Sequence, residues 1–297
     1  MAYKNYHANS MGIAVILVWS IYPLLIIGTG KTPAFLLVSL SLFIAGSLLI
    51  LRNMRQGTDL LLIMRQSIQS YILVVTGFTG YLCALIGAFK LIPAYEANTL
   101  NYLWPILLSL FSLTLIRKRP SLQQYMGFII GFIGVALCFF PDQTNNFSSS
   151  IGIGHFLALL AAIIWAGYSA LTRYIVFDKE AMGIYMLLSG AICLVMHFIF
   201  ESSYTPNSVE WGFIFLFGLT RISFAFWDSA MKNGDTLVLS SLANCIPLFS
   251  SVMLLFIEGD KVTQNYALSS VCIITSCLII GFNTTIQKLN IKNLLKK

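Results

Sequence analysis

Two asparagines, a tyrosine, a tryptophan and a proline fall close together: Asn98, Asn101, Tyr102, Trp104 and Pro105. They open an apolar run that continues through residues 106–116. Asn98 and Asn101 are three positions apart, so a helix carries both amides on one face. Pro105 has no N–H and leaves a carbonyl near Asn101 without its helical partner. An amide offers donors and an acceptor, so it can meet both ends of a zwitterion without burying a net charge. The same amides can also act as plain glue between helices. Lipid supplies no hydrogen bonds, so these groups must face protein, a water-filled cavity or a ligand.

Aromatic residues form the second set. Trp19, Tyr22, Tyr81, Trp165, Tyr168 and Trp227 also sit in apolar segments, several of them away from segment ends. Rings in such places can wall a cavity for flat apolar groups and hold an ammonium over their faces. They can equally pack helices or anchor them at the interface. Arg221 and Asp228 lie seven apart in one apolar segment, hence on one helical face two turns apart, too far for a direct bond. Charges inside such segments are costly, and both residues are candidate gate or cap groups. Glu96, at the start of its segment, can be a carboxylate at a helix N-terminus, a partner of Lys90, or a proton-coupling group. The first two readings are favoured. Pro23, Pro105 and Pro247 each interrupt a segment beside polar residues and are candidate hinges or fixed kinks.

Other chemistries find little support. The chain has three histidines and no HxxxH or DxxD-type cluster, so neither a membrane enzyme nor a metal site is expected, and no cofactor is implied. His155 and His197 stand alone. The six cysteines, Cys83, Cys138, Cys193, Cys245, Cys272 and Cys277, all lie in apolar runs without CxxC spacing, and read as packing residues. Gly28-Thr-Gly30-Lys31-Thr32 resembles a phosphate loop, but Leu25 stands where the first glycine is needed. Asn146 and Asn283 begin glycosylation sequons, the second of them inside an apolar helical segment.

The elements that must position these residues follow from composition. Of 297 residues, 58% are hydrophobic and 10% charged. Soluble domains are about 25% charged. The class is all-α integral membrane protein, since the apolar runs are too long for barrel strands and lack their alternation. The first run carries no small-residue cleavage site after it. Ten segments are predicted: 10–28, 33–51, 68–90, 94–116, 121–140, 152–176, 182–200, 210–231, 236–257 and 265–287. The net charge of +7 resides in their short connections, so it signals topology and not nucleic-acid binding. With a cytoplasmic N-terminus, fourteen Lys and Arg fall inside and only Lys31, Lys90 and Lys261 outside, which places both termini in the cytoplasm.

The halves echo each other. Trp19-Ser-Ile-Tyr22 is matched by Trp165-Ala-Gly-Tyr168, and Lys90 precedes Pro105 by the same fifteen positions that separate Lys232 from Pro247. Asn244 thereby becomes the counterpart of the amides near Pro105. Two five-helix units, 1–145 and 146–297, must be inverted relative to one another because five is odd. Inverted repeats mark secondary transporters, with the site near the midplane between them.

Four motifs carry a family resemblance along essentially the whole chain: Trp19-Ser-Ile-Tyr-Pro23, Asn101-Tyr-Leu-Trp-Pro105, Trp165-Ala-Gly-Tyr-Ser169 followed by Arg173, and Trp227-Asp-Ser-Ala-Met-Lys-Asn-Gly-Asp235. In them the chain resembles the drug/metabolite transporter superfamily in its ten-helix, EamA-type form, and within it the bacterial aromatic amino acid exporters. It departs at Asn244-Cys-Ile-Pro247, where a Tyr-x-x-Pro pattern is expected. The resemblance implies a central cavity and alternating access without an ATPase. The expected function is export of aromatic or other bulky neutral amino acids across the inner membrane, with substrate contacts from Trp19, Tyr81, Asn98, Asn101, Tyr102, Trp104, Trp165 and Asn244. S-adenosylmethionine, a nucleotide sugar or a drug cation are alternative cargoes. A cation carrier needs a carboxylate at its pocket, and only Glu96 and Asp228 are available. The oligomeric state is open.

Overall fold

Backbone groups in lipid must be satisfied within their own segment, and long apolar runs meet that demand as helices. A computed structural model of the chain describes residues 2–115, 117–137, 152–172, 174–233, 239, 246–258 and 264–294, with no strand among them. Arg173, Asn244, Cys138 and Cys245 lie outside these residues, and the side chains of Pro247 and of 281–294 are also outside the description.

The helices are α1 (Ala2–Ser20), α2 (Tyr22–Gly28), α3 (Ala34–Arg55), α4 (Leu60–Ile63), α5 (Ile68–Leu91), α6 (Ala94–Asn101) and α7 (Trp104–Leu115). They continue as α8 (Leu122–Leu137), α9 (Ile153–Leu171), α10 (Met182–Phe200), α11 (Ser208–Arg221), α12 (Ser223–Asn233), α13 (Ile246–Glu258) and α14 (Gln264–Leu294). Among the described residues six stretches are long and apolar enough to cross a bilayer: Ser10–Gly28, Ala34–Arg55, Ile68–Leu91, Ile153–Leu171, Lys179–Phe200 and Ser208–Met231. Leu122–Leu137 and Gln264–Ile280 are shorter apolar helices.

Among the described residues, three stretches expected as continuous segments are broken. The first breaks at Ile21, two residues before Pro23, and the fourth at Tyr102 and Leu103, just before Pro105. In both, the proline ring and its missing N–H disrupt the turn behind it. The eighth breaks at Ile222 with no proline nearby. There Ser223 Oγ donates to the Thr220 carbonyl, Thr220 Oγ1 to that of Phe217, and the Ala225 N–H reaches back only to Ile222. Hydroxyl groups bonding back to the helix compete with its ladder and open it. Arg221 and Asp228 therefore sit on different helices, α11 and α12, and not on one continuous face as the spacing suggested.

Helices pair mainly between the two halves: α3 on α10, α5 on α9, α8 on α14, α1 on α12 and α6 on α13. Small residues allow the close approaches that membrane packing relies on. A Cβ on Gly46 would lie 3.0 Å from the Gly183 carbonyl, and one on Gly183 would lie 3.1 Å from that of Gly46. Gly127, Gly131 and Gly134 present a similar stripe of α8 to α14, where Ser276 Oγ donates to the Gly127 carbonyl. Cys83 and Cys193 pack side by side with sulfurs 3.5 Å apart, and Cys83, Cys193, Cys272 and Cys277 are free thiols.

Polar groups tie the α2–α3 connection to its neighbours. Lys90 Nζ donates to the Gly30 carbonyl at 2.6 Å, and the Lys31 N–H donates to Glu210 Oε1 at 2.9 Å. Gly30 has φ +55°, a conformation that favours glycine, and a Cβ there would meet Glu210 Oε1 at 2.5 Å and push that carboxylate from its place. Glu201 accepts from the Phe35 and Leu36 N–H groups at the start of α3, where the helix dipole favours an anion. Tyr204 donates to Glu210, and this bond to a carboxylate holds its phenol above the usual range.

Candidate substrate site

The three breaks converge on one aromatic cluster. Trp19 is its hub, with ring centroids of Trp227 at 4.9 Å, Trp165 at 5.5 Å, Phe224 at 5.9 Å and Trp104 at 6.4 Å. Trp165 adds Tyr81 at 4.7 Å and Tyr168 at 5.3 Å. Four of the five tryptophans are thus buried together, while Trp211 is exposed. Tilted and edge-to-face pairs like these contribute about 0.5–1.5 kcal/mol each beyond their area. They also hold the rings at defined angles around a narrow space.

That space is a cavity of about 30 Å³. Its wall comprises Trp19 of α1, Tyr22, Pro23 and Ile26 of α2, Tyr81, Leu85 and Phe89 of α5, and Asn98 and Asn101 of α6. Tyr102, Trp104 of α7, Trp165 of α9, Phe224 of α12 and Ile246 of α13 complete it. Seven residues expected from the sequence to meet substrate therefore share one enclosure: Trp19, Tyr81, Asn98, Asn101, Tyr102, Trp104 and Trp165. The eighth, Asn244, lies outside the described residues. Pro23 is part of the wall, and Pro105 is buried beside it in α7.

Hydrogen bonds fix the polar part of the wall. Tyr102 Oη and Ser250 Oγ are hydrogen-bonded, Asn98 Nδ2 donates to Ser250 Oγ at 3.5 Å, and Ser250 Oγ donates to the Ile246 carbonyl at 2.8 Å. On the opposite side, Trp19 Nε1 donates to Ser223 Oγ at 2.8 Å, and Tyr22 Oη lies 3.2 Å from the same hydroxyl. Ser223 thus joins the break in the first span to the break in the eighth. Asn101 Oδ1 is buried without a hydrogen-bond partner. Pro105 also frees its backbone carbonyl, so Asn101 presents two acceptors where the helix breaks.

The structure adds wall residues that sequence reasoning did not single out: Phe224, Ile26, Leu85, Phe89 and Ile246, with Ser250 behind them. Phe224 had one available signal, since it lies three positions from both Arg221 and Trp227. Ser250 had none beyond being a polar residue in an apolar run.

Neither expected gate charge lines the cavity. Arg221 is fully buried, with its guanidinium carbon 3.9 Å from the Tyr22 ring centroid, 4.0 Å from Phe217 and 4.9 Å from Phe224. Asp228 accepts from Tyr168 Oη at 2.8 Å. Glu96 is fully buried in the first turn of α6, as a carboxylate favoured by the dipole should be, but Lys90 is not its partner. Its Oε2 is 3.1 Å from His155 Nε2, and Tyr95 Oη donates to its Oε1 at 3.1 Å. His155 Nδ1 accepts the Gly152 N–H at 3.3 Å, which leaves Nε2 to face Glu96. Tyr266 Oη, 3.1 Å from that Nε2, closes the cluster from α14. Among the described residues no group of three or more His, Cys, Asp or Glu could hold a metal ion.

A bundle of broken apolar helices around a cavity of rings and amides has the anatomy of a membrane carrier. The chain belongs to the EamA-like transporter family, whose sequence profile matches it twice, at residues 8–140 and 152–282. The aromatic amino acid exporter YddG of Ancylobacter novellus is 30% identical over 279 residues, covering 92% of this chain and 94% of that protein. YddG of Escherichia coli is 24% identical over 169 residues, 54% of this chain and 57% of that protein. A riboflavin transporter of Brucella anthropi is 24% identical over 156 residues, 50% of this chain and 53% of that protein. A solved crystal structure superposes with a TM-score of 0.72 at 28% identity, covering 92% of this chain and 97% of its own.

Proposed function

We propose that the protein is a secondary exporter of aromatic or other bulky neutral amino acids, working by alternating access in a bacterial inner membrane with both termini cytoplasmic. The observation that carries this reading is the wall itself: faces of Trp19, Tyr81, Trp104 and Trp165 beside the amides of Asn98 and Asn101, with no carboxylate among the described lining residues. Rings suit a flat apolar side chain, and Asn101 Oδ1 together with ring faces suits an ammonium. The riboflavin and exporter relatives both have names that specify flat ring systems, which agrees with such a wall. A drug cation is the weaker reading, because Glu96 is engaged by His155 and Asp228 by Tyr168, both away from the cavity.

The enclosure, about 30 Å³, has room for about two water molecules. An amino acid enters only if the wall opens. The breaks at Ile21, Tyr102–Leu103 and Ile222, with Pro23, Pro105 and Pro247, are the places where spans can bend to open it. The division into two inverted five-helix units, 1–145 and 146–297, is supported by the two family matches and by the pairing of helices. Exchanging each of the ten predicted segments for its counterpart five places away maps the main between-half pairs, α3 on α10, α5 on α9, α8 on α14, α1 on α12 and α6 on α13, onto one another.

A panel of ligand-induced thermal shifts on the purified protein tests the assignment, because bound substrate stabilises the folded state. Phenylalanine, tyrosine or tryptophan should raise the melting temperature, and glycine and glutamate should not. A shift with an organic cation but none with any aromatic amino acid would reverse the ranking of the two readings.

A further inference from the structure

Arg221 carries a permanent charge, since a guanidinium keeps its proton under all physiological conditions. It is fully buried, and among the described residues no carboxylate pairs with it. Its hydrogen bonds are long ones to neighbours in its own helix: Nε to the Phe217 carbonyl at 3.4 Å and Nη2 to Thr220 Oγ1 at 3.3 Å. Nη1 has no partner. A buried charge without a counter-ion is costly, and ring faces compensate only in part. In membrane segments such a group marks a pathway or a site.

Two of the rings over Arg221 are also cavity wall. Tyr22 and Phe224 face the cavity and also pack against the guanidinium, so they stand between the two. A second buried donor without a partner, Trp227 Nε1, belongs to the same elbow, on a ring tilted against Trp19. Opposite in sign, Asn101 Oδ1 is an acceptor without a partner in the wall. The site therefore holds unmet donors on the α11–α12 side and an unmet acceptor on α6. Asp228 is not the missing anion in this state, because it lies beyond the Ile222 break and takes the Tyr168 hydroxyl.

We propose that Arg221 is the docking group for the carboxylate of the transported amino acid, reached when Tyr22 and Phe224 part, with Trp227 Nε1 as a second donor. The proposal rests on the exporter reading and deepens it. The planar guanidinium presents two parallel N–H groups, the geometry that a carboxylate accepts in a fork. The ammonium then points toward Asn101, and the side chain lies among the tryptophans. Between turnovers the aromatic cage holds the charge in the absence of an anion.

Binding to the purified full-length protein discriminates the possibilities with three probes: L-phenylalanine, L-phenylalaninamide (which lacks the carboxylate) and 3-phenylpropionate (which lacks the ammonium). Wild-type protein should bind phenylalanine at least ~10-fold more tightly than its amide, as loss of a charge-assisted pair implies. Arg221→Gln should weaken phenylalanine by the same factor, leave the amide unchanged, and so abolish the preference, with Arg221→Lys intermediate. Equal wild-type affinity for acid and amide would overturn the role of Arg221 and leave the exporter reading standing. So would a preference retained in Arg221→Gln. If none of the three probes binds folded wild-type protein, the exporter reading falls and this inference with it. The wild-type comparison needs no variant, so a misfolded Arg221→Gln does not remove the test.

Discussion

At the residue scale, Asn101 is where stability and function separate most cleanly. Its Oδ1 is buried and unmet and adds nothing at rest, while the other end of the amide is engaged with Tyr81. Asn101→Leu should therefore lower stability by no more than about 1 kcal/mol, the worth of one hydrogen bond, while weakening phenylalanine binding about tenfold. Parallel thermal-unfolding and binding measurements check this, and a fall in stability with intact binding would mark Asn101 as glue. Glu96 should behave in the opposite way. Removing the carboxylate leaves the buried His155 and Tyr95 donors without their acceptor, at a cost of about 1–3 kcal/mol each. Glu96→Ala should lower the melting temperature markedly, with ligand affinity in the surviving folded protein preserved. The residues legible in the sequence were those whose chemistry is conspicuous in an apolar run: Trp19, Trp165, the amide pair and the prolines. Phe224 and Ser250 were not, because a phenylalanine or a serine has many ordinary uses in a membrane helix. The partner of Glu96 was misjudged for a related reason. Lys90 is near in sequence, whereas His155 is brought near only by the packing of α6 on α9.

At the scale of elements, the helix breaks link sequence to motion. Pro23 and Pro105 announced two of them, because a missing N–H is visible in any sequence. The break at Ile222 was hidden, since it arises from Thr220 and Ser223 bonding back to the backbone, and most serines and threonines in helices do so without breaking them. Ser223 also receives Trp19 and lies against Tyr22 Oη, so it couples the break in the eighth span to that in the first. Ser223→Ala removes both links. It should slow transport several-fold with a stability loss of about 1–3 kcal/mol, because the buried Trp19 N–H is left without its acceptor. Pro105→Ala should act more strongly on rate. It restores a donor to the Asn101 carbonyl and favours a continuous helix, so turnover should drop while the melting temperature holds or rises. Initial transport rates at saturating substrate, compared with equilibrium affinity, separate these effects from loss of binding.

At the scale of the whole molecule, composition alone specified an α-helical membrane protein, and the spacing between halves suggested a repeat. The packing of α3 on α10 through Gly46 and Gly183 gives that suggestion a physical counterpart, with each glycine facing the other's carbonyl at nearly the same distance. The chemistry of the cavity could not be read so directly. Its wall draws on α1, α2, α5, α6, α7, α9, α12 and α13, and only folding brings those rings together. The central claim is that this wall carries aromatic amino acids across a bilayer without ATP. Counterflow in proteoliposomes tests it most directly, with vesicles preloaded with unlabelled phenylalanine and labelled phenylalanine supplied outside. The account predicts transient accumulation of label above equilibrium, competed by tyrosine and tryptophan and not by glycine. Folded, reconstituted protein that accumulates none of these labelled amino acids would contradict it.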